Sequence, residues 1–131
     1  MALHVRERAV GRILYSKTHE YLREDGSDWF LGITEHAQDS LGDITFVELP
    51  ESGAKFDGGD EIATVESVKA VASVMAPVSM RVMDVNGALE DAPELINSDA
   101  QGAGWMARVE VLDASELDAL MDQAAYDAME K

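Results

Sequence analysis

Four lysines occur in the chain, Lys17, Lys55, Lys69 and Lys131, and one of them stands where an amine is chemically useful. Lys69 lies near the middle, in Glu66-Ser67-Val68-Lys69-Ala70. Two alternating runs flank it, Ile62-Ala63-Thr64-Val65-Glu66 and Val71-Ala72-Ser73-Val74-Met75. Both are rich in β-branched or small residues and lack Pro and Gly, the pattern of two strands joined by a tight turn. An amine at such a tip is reachable by a modifying enzyme, and a group attached there can swing. Most lysines at turns are solvated charges and nothing more. Lys69 is set apart because no other lysine lies in a long, clean strand-turn-strand pattern. His19 with Glu20, and His36 with Asp39, have the residue types for acid/base work. No nucleophile motif or metal-ligand set supports those pairs, and structural or surface histidines fit the sequence better.

The strands must hold this tip. With Val68 and Lys69 as the central turn residues, Ser67 faces Ala70, Glu66 faces Val71, Val65 faces Ala72 and Thr64 faces Ser73. Side chains alternate across the ribbon. Ala63, Val65, Ala72 and Val74 form a small apolar face fit for a core. Thr64, Glu66, Val71 and Ser73 form a mixed, partly wet face. No Asn-Gly or Asp-Gly fixes the turn, so its composition is not that of a generic hairpin.

Around the hairpin the chain reads as many short strands. Strands are expected at Arg12 to Tyr15, Glu20 to Arg23, Asp28 to Ile33 and Asp43 to Glu48. A short extended piece is expected at Ala54 to Phe56, and further strands at Met80 to Val85 and Trp105 to Val111. Thr34 suits an N-cap and Gly42 a C-terminal cap, giving a short helix over Glu35 to Leu41. Asn86 is read as capping one helical turn. Leu95-Ile96-Asn97 is read as a short strand or loop, and Ser98 to Gly104 as loop. Leu117, Leu120, Met121, Ala124, Ala125, Ala128 and Met129 recur at helical spacing. They predict an amphipathic helical tail over residues 114–130, interrupted near Gln123, with Ser115 and Asp118 as a weak capping box. The 131 residues are expected to form one domain, with residues 1–11 as an extension or partly ordered strand.

Composition narrows the function classes. The formal charge is −16, from 26 acidic and 10 basic residues. Nucleic acid and anionic membranes are disfavoured partners, because their phosphates would be repelled. Basic protein partners are favoured, mainly through encounter rate; solubility or adaptation to the host explains the acidity equally well. There is no cysteine, which removes disulfides, thiolate catalysis and Cys-based metal sites. Any thiol chemistry must therefore come from a covalently attached group. No run reaches transmembrane length, and no secretory or convincing transit peptide is present. A cytoplasmic monomer is expected.

The pentapeptide around Lys69 resembles the attachment motif of the glycine cleavage system H protein family, which are lipoyl carriers. The resemblance extends to Lys17-Thr18-His19-Glu20-Tyr21 and Gly32-Ile33-Thr34-Glu35-His36-Ala37-Gln38. It continues through Leu41-Gly42-Asp43-Ile44, Phe46-Val47-Glu48-Leu49-Pro50 and Ala76-Pro77-Val78-Ser79. Asn86, Leu89-Glu90-Asp91, Pro93-Glu94-Leu95-Ile96-Asn97 and Gly104-Trp105-Met106 follow in family order. It runs from about Leu14 to the C-terminus.

The resemblance implies a mainly β fold, the barrel-sandwich hybrid of lipoyl and biotinyl carriers, with short flanking helices and the C-terminal helix. It implies lipoate on Lys69, attached by a lipoate ligase or octanoyltransferase that reads Glu66, Ser67, Val68 and Ala70. For Glu66 a plain cross-strand polar role is the alternative. The carrier would accept an aminomethyl group from glycine decarboxylase (P protein) and present it to aminomethyltransferase (T protein). Dihydrolipoyl dehydrogenase (L protein) would reoxidise it, and the carrier itself would catalyse nothing. Thr18, His19 and Glu20 are the implied contacts of the loaded arm, with Glu20 near the amine; an exposed surface Glu is the alternative.

Three positions depart from the family pattern. Ser73 stands where many relatives carry an acid, Ser40 where some carry His, and Met80 where Gly is usual. If that last backbone position needs positive φ, Met80 costs about 1 kcal/mol and alters the local turn. Three rival readings remain: an H-like relay of lipoyl groups to other enzymes, an unmodified acidic binding module, and a free-standing enzyme.

Overall fold

The computed structural model describes residues 10–130. The expected extension over residues 1–11 thus lies mostly outside the described residues. Val10 and Gly11 belong to the first strand, β1 (Val10–Tyr15). It is followed by β2 (Glu20–Asp25) and β3 (Asp28–Ile33). The two form a hairpin closed at Gly26, whose φ of 64° a glycine adopts without strain. Gly32 sits opposite Tyr21, and a Cβ there would lie 2.6 Å from the Tyr21 hydroxyl. The missing side chain makes room for a fully buried ring.

The helix α1 (Glu35–Leu41) forms with the expected caps. Thr34 Oγ1 accepts from Ala37 N at 3.1 Å, and Gly42, at φ 81°, donates its N–H to Gln38 O. The chain continues through β4 (Ile44–Glu48) and β5 (Lys55–Phe56) into β6 (Glu61–Ser67) and β7 (Val71–Met75). Then come β8 (Met80–Val85), α2 (Ala88–Asp91), α3 (Leu95–Asp99) and β9 (Ala107–Val111).

The strands form two antiparallel sheets, one ordered β1-β2-β3-β9-β8-β5 and the other β4-β6-β7. Leu22, Leu31 and Val109 of the first share a single buried cluster with Val47, Val65 and Val74 of the second. Each such side chain contributes about 1.5–3 kcal/mol when buried. A bulge between Ile44 and Phe46 lets both Ile44 and Val47 face this core, leaving Thr45 and Phe46 outside.

Three expectations are corrected. Leu95-Ile96-Asn97 is helical, in α3, and so are Ser98 and Asp99. Glu94 N-terminal to a buried Ile96 starts a helical turn that a three-residue apolar run does not reveal. Met80 is extended in β8, fully buried and paired with Phe56 and Val111. His19 alone among the described non-glycine residues has positive φ, so no turn strain arises at Met80.

The tail divides into a 3₁₀ segment (Ala114–Ala119) and α4 (Gln123–Glu130). Between them Met121 exchanges two 2.8 Å backbone hydrogen bonds with Tyr15. This bridge resets the helical phase. Leu117 and Tyr126 become the buried contacts, while Ala124, Ala125, Ala128 and Met129 are exposed. Asp113, rather than a Ser115–Asp118 box, caps the 3₁₀ segment through Ser115 N. Hydrogen bonds from the Ser115 hydroxyl and then its backbone N–H hold the Asp113 carboxyl below its usual range. Among the described residues no helix is long and apolar enough to cross a membrane.

Candidate functional site

The hairpin has the register read from the sequence. Glu66 pairs with Val71, Val65 with Ala72, Thr64 with Ser73 and Ala63 with Val74. Ser67 N donates to Ala70 O at 2.8 Å and closes the turn. The Ser67 hydroxyl reinforces it, accepting from Ala70 N at 3.1 Å and Lys69 N at 3.3 Å. Serine thus satisfies the turn amides locally, with no positive φ at Val68 or Lys69. The tip is also braced from the side. Val68 N donates to Asp43 O at 3.1 Å, and Ile44 pairs with Ser67.

Lys69 is exposed at this tip. Its stem leans back over Gly42, where a Cβ would lie 3.8 Å from Lys69 Cε. The α1 C-terminus is the negative end of that helix, a suitable neighbour for an ammonium. Among the described residues no carboxylate comes within salt-bridge distance of Lys69.

Asn97 of α3 holds the brace in place. Its side chain accepts from Ile44 N at 2.8 Å and donates to Gln38 Oε1 and Gly42 O, both at 2.9 Å. One amide thereby ties the end of α1 and the start of β4 together. Sequence reasoning did not single out this role, although Asn97 lies in a segment that carries the family resemblance.

Thr18, His19 and Glu20 fall at the other end of the hairpin. Glu20 is 1% exposed, so it is not a surface acid. Its Oε1 accepts from Ser16 Oγ at 2.6 Å and from the Thr18 hydroxyl, and its Oε2 accepts from Met75 N at 3.1 Å. A buried carboxylate with three donors is well satisfied. Met75 lies six residues from Lys69, about 20 Å along an extended strand. Glu20 therefore anchors the base of the hairpin, while Lys69 occupies the tip.

His19 serves a second network. Its Nδ1 lies 2.7 Å from the Tyr126 hydroxyl, which is also 2.8 Å from Thr34 Oγ1. Tyr126 stacks on Tyr15 with centroids 4.4 Å apart, and His19 stacks on His36 at 4.6 Å. His19 bonds to Tyr126, while Glu20 accepts from Ser16, Thr18 and Met75. Among the described residues no cluster of three or more metal-ligand side chains occurs. The site offers one presented amine and a rigid support, which suits a carrier.

Comparison with known proteins agrees with that geometry. The family model described as "Glycine cleavage H-protein" matches residues 13–131. A glycine cleavage system H protein from Shewanella sp. (strain ANA-3) is 55% identical over 117 residues, covering 88% of this chain and 90% of that protein. The corresponding protein of Escherichia coli O7:K1 is 49% identical over 116 residues, covering 88% and 90%. The crystal structure of a glycine cleavage system H protein from Mycobacterium marinum superposes with a TM-score of 0.79 at 32% identity. It covers 92% of this chain and 97% of that one. The two antiparallel sheets and short helices are therefore the lipoyl-type barrel-sandwich expected from the sequence.

Proposed function

The chain belongs to the glycine cleavage H-protein family, and from that premise we propose that Lys69 is the residue bearing its lipoyl group. Its role is that of the family, a lipoyl carrier in glycine cleavage rather than a catalyst. The observation that carries the assignment to Lys69 is the turn itself. The amine stands exposed on a two-residue tip whose backbone is fixed by Ser67 and Asp43. When bound, the group supplies a disulfide that takes up the aminomethyl unit of glycine.

The chain's own residues present and support it. Ser67 shapes the turn, and Glu66, Val68 and Ala70 surround the amine for a lipoate ligase or octanoyltransferase to read. Acylation removes the Lys69 charge, so the stem can rest on apolar surface. Tethering raises the effective concentration of the reactive end at each partner. Those partners are glycine decarboxylase, aminomethyltransferase and dihydrolipoyl dehydrogenase. The carrier sheets and the helical tail act as one unit in this reading.

Thr18, His19 and Glu20 would receive the loaded arm only if it folded back along β7. An arriving ammonium would meet exposed Thr18 first and reach Glu20 by replacing the Thr18 hydroxyl. His19, engaged with Tyr126, would position that corner rather than touch the amine.

The test is intact and peptide mass spectrometry after incubation with lipoate, ATP and a lipoate ligase. One lipoyl increment on the Lys69 peptide, absent in Lys69→Arg, is the expected result. An increment on Lys17 or Lys55, or none with an active ligase, would refute the assignment.

A further inference from the structure

Large apolar side chains are unevenly spread over the surface. Val68, Val71 and Phe46 are 70%, 68% and 52% exposed. They belong together, because Phe46 pairs with Glu66 and Glu66 pairs with Val71 across three strands, with Val68 at the adjoining tip. Among the described residues, the other exposed large apolar side chains, Met83, Leu112 and Met129, are scattered over β8, the position after β9 and α4. The next row inward, Glu48, Thr64 and Ser73, is polar. Single exposed apolar residues are ordinary, but a grouped set rimmed by polar residues marks a contact surface.

We propose that Phe46, Val68 and Val71 form the docking surface for the enzyme that acylates Lys69, and that this enzyme covers them with an apolar surface rimmed by Arg or Lys. The inference rests on Lys69 being the acylated residue. Charge points to the rim: Glu66 stands between Phe46 and Val71, and exposed Asp43 and Glu48 lie beside them. A second copy of the chain is a poor occupant, because a two-fold contact would oppose Glu66 to Glu66 between bodies of charge −16. Phe46 also walls a cleft of about 480 Å³ with Leu49, Pro50 and Val85, edged by Glu48 and Glu90. Such a cleft fits the aliphatic stem and charged head of a partner's Arg or Lys.

Reach selects the acylating enzyme among possible partners. Enzymes that act at the far end of the arm need not touch the hairpin rows beside the lysine. The acylating enzyme must bring Nζ itself to its activated acyl carbonyl, an acyl adenylate or thioester. There the neutral amine forms the amide bond as the bond to the leaving group breaks, and its proton passes to a base or solvent. Only that partner is obliged to cover the first row.

The experiment measures initial rates of acylation against concentration of the unmodified protein, with lipoate, ATP and purified lipoate ligase. Wild type is compared with Phe46→Ser, Val71→Thr, their double variant, and Met83→Ser as an exposed apolar control. The double variant should raise KM by about tenfold or more with kcat within about twofold, while Met83→Ser changes neither. Added salt should raise the wild-type KM. Melting curves report folding, and Val71→Thr keeps the β-branch should Phe46→Ser unfold. A double variant with wild-type KM, or Met83→Ser impaired equally, overturns the docking surface. Normal acylation with impaired reaction toward glycine decarboxylase also overturns it, by assigning the patch elsewhere. No increment on wild-type Lys69 refutes instead the attachment assignment beneath it.

Discussion

Replacing Glu20 separates its anchoring role from its charge. Three donors converge on the buried carboxylate: Ser16 Oγ, the Thr18 hydroxyl and Met75 N. In Glu20→Gln the amide oxygen can still accept from Met75 N. The amide nitrogen must then face the hydroxyls of Ser16 and Thr18, which can rotate to accept. The change exchanges charge-assisted bonds for neutral ones and costs about 1 kcal/mol. In Glu20→Ala the backbone N–H of Met75 loses that acceptor and a void opens, at about 3 kcal/mol. A chain of this size loses about 3–4 °C of melting temperature per kcal/mol. Glu20→Gln should therefore melt about 4 °C lower and Glu20→Ala about 10 °C lower, in the unacylated protein. Amide exchange at Met75 should rise in Glu20→Ala, while Val68 at the far tip stays unchanged. Equal melting of all three proteins would refute the anchor. Equal loss in Gln and Ala would show that the negative charge, not the hydrogen-bond set, holds the hairpin base.

Asn97→Ala removes three hydrogen bonds from the junction of α1 and β4 and should cost about 2 kcal/mol. Faster amide exchange at Val68, which is bonded to Asp43 O, should accompany the lower melting temperature. Tyr126→Phe takes a hydroxyl from between His19 and Thr34. It should cost about 1–2 kcal/mol and raise proteolysis within α4, read by limited digestion. Burial pushes the Tyr21 phenol, which donates to Ala100 O at 2.7 Å, well above its usual 10.0. Its raised value in the fold means stability is complete below about pH 10 and falls as pH rises further. Denaturant titrations from pH 9 to 11.5 should show that fall, and Tyr21→Phe should flatten it.

The hairpin register was legible because period-two alternation on both sides of a two-residue turn leaves one pairing that buries Val65 and Val74. The helix α1 was legible for a similar reason, since Thr34 and Gly42 mark both ends by local chemistry. Glu20 was not, because composition places Glu at the surface and only tertiary approach of β7 supplies Met75 N. Ser16 and Thr18, four and two residues before it, were the available signal. Tyr126 was hidden because the Met121 bridge to Tyr15 shifts the tail's helical phase, an event written in contacts 106 positions apart rather than in periodicity. Asn97 was obscured by a run too short to separate helix from strand.

The absence of Asn-Gly at the tip now has a physical reading. Neither Val68 nor Lys69 has positive φ, so the turn is not of the primed kind that suits a free hairpin's twist. A free ribbon with such a turn would splay. Here Ser67 Oγ holds the turn from inside and Asp43 O holds Val68 from outside, while β4 pairs along β6 up to Ser67. These supports permit side-chain-bearing residues at both central positions, which a glycine turn would forgo. One of those side chains is the amine and the other is an exposed Val68. The same supports reduce the ordering cost when a partner covers the tip, since the backbone is already fixed. A glycine substituted at Val68 should therefore leave the fold intact yet weaken acylation through a higher KM. A loss in kcat alone would place Val68 in aligning Nζ for reaction rather than in docking.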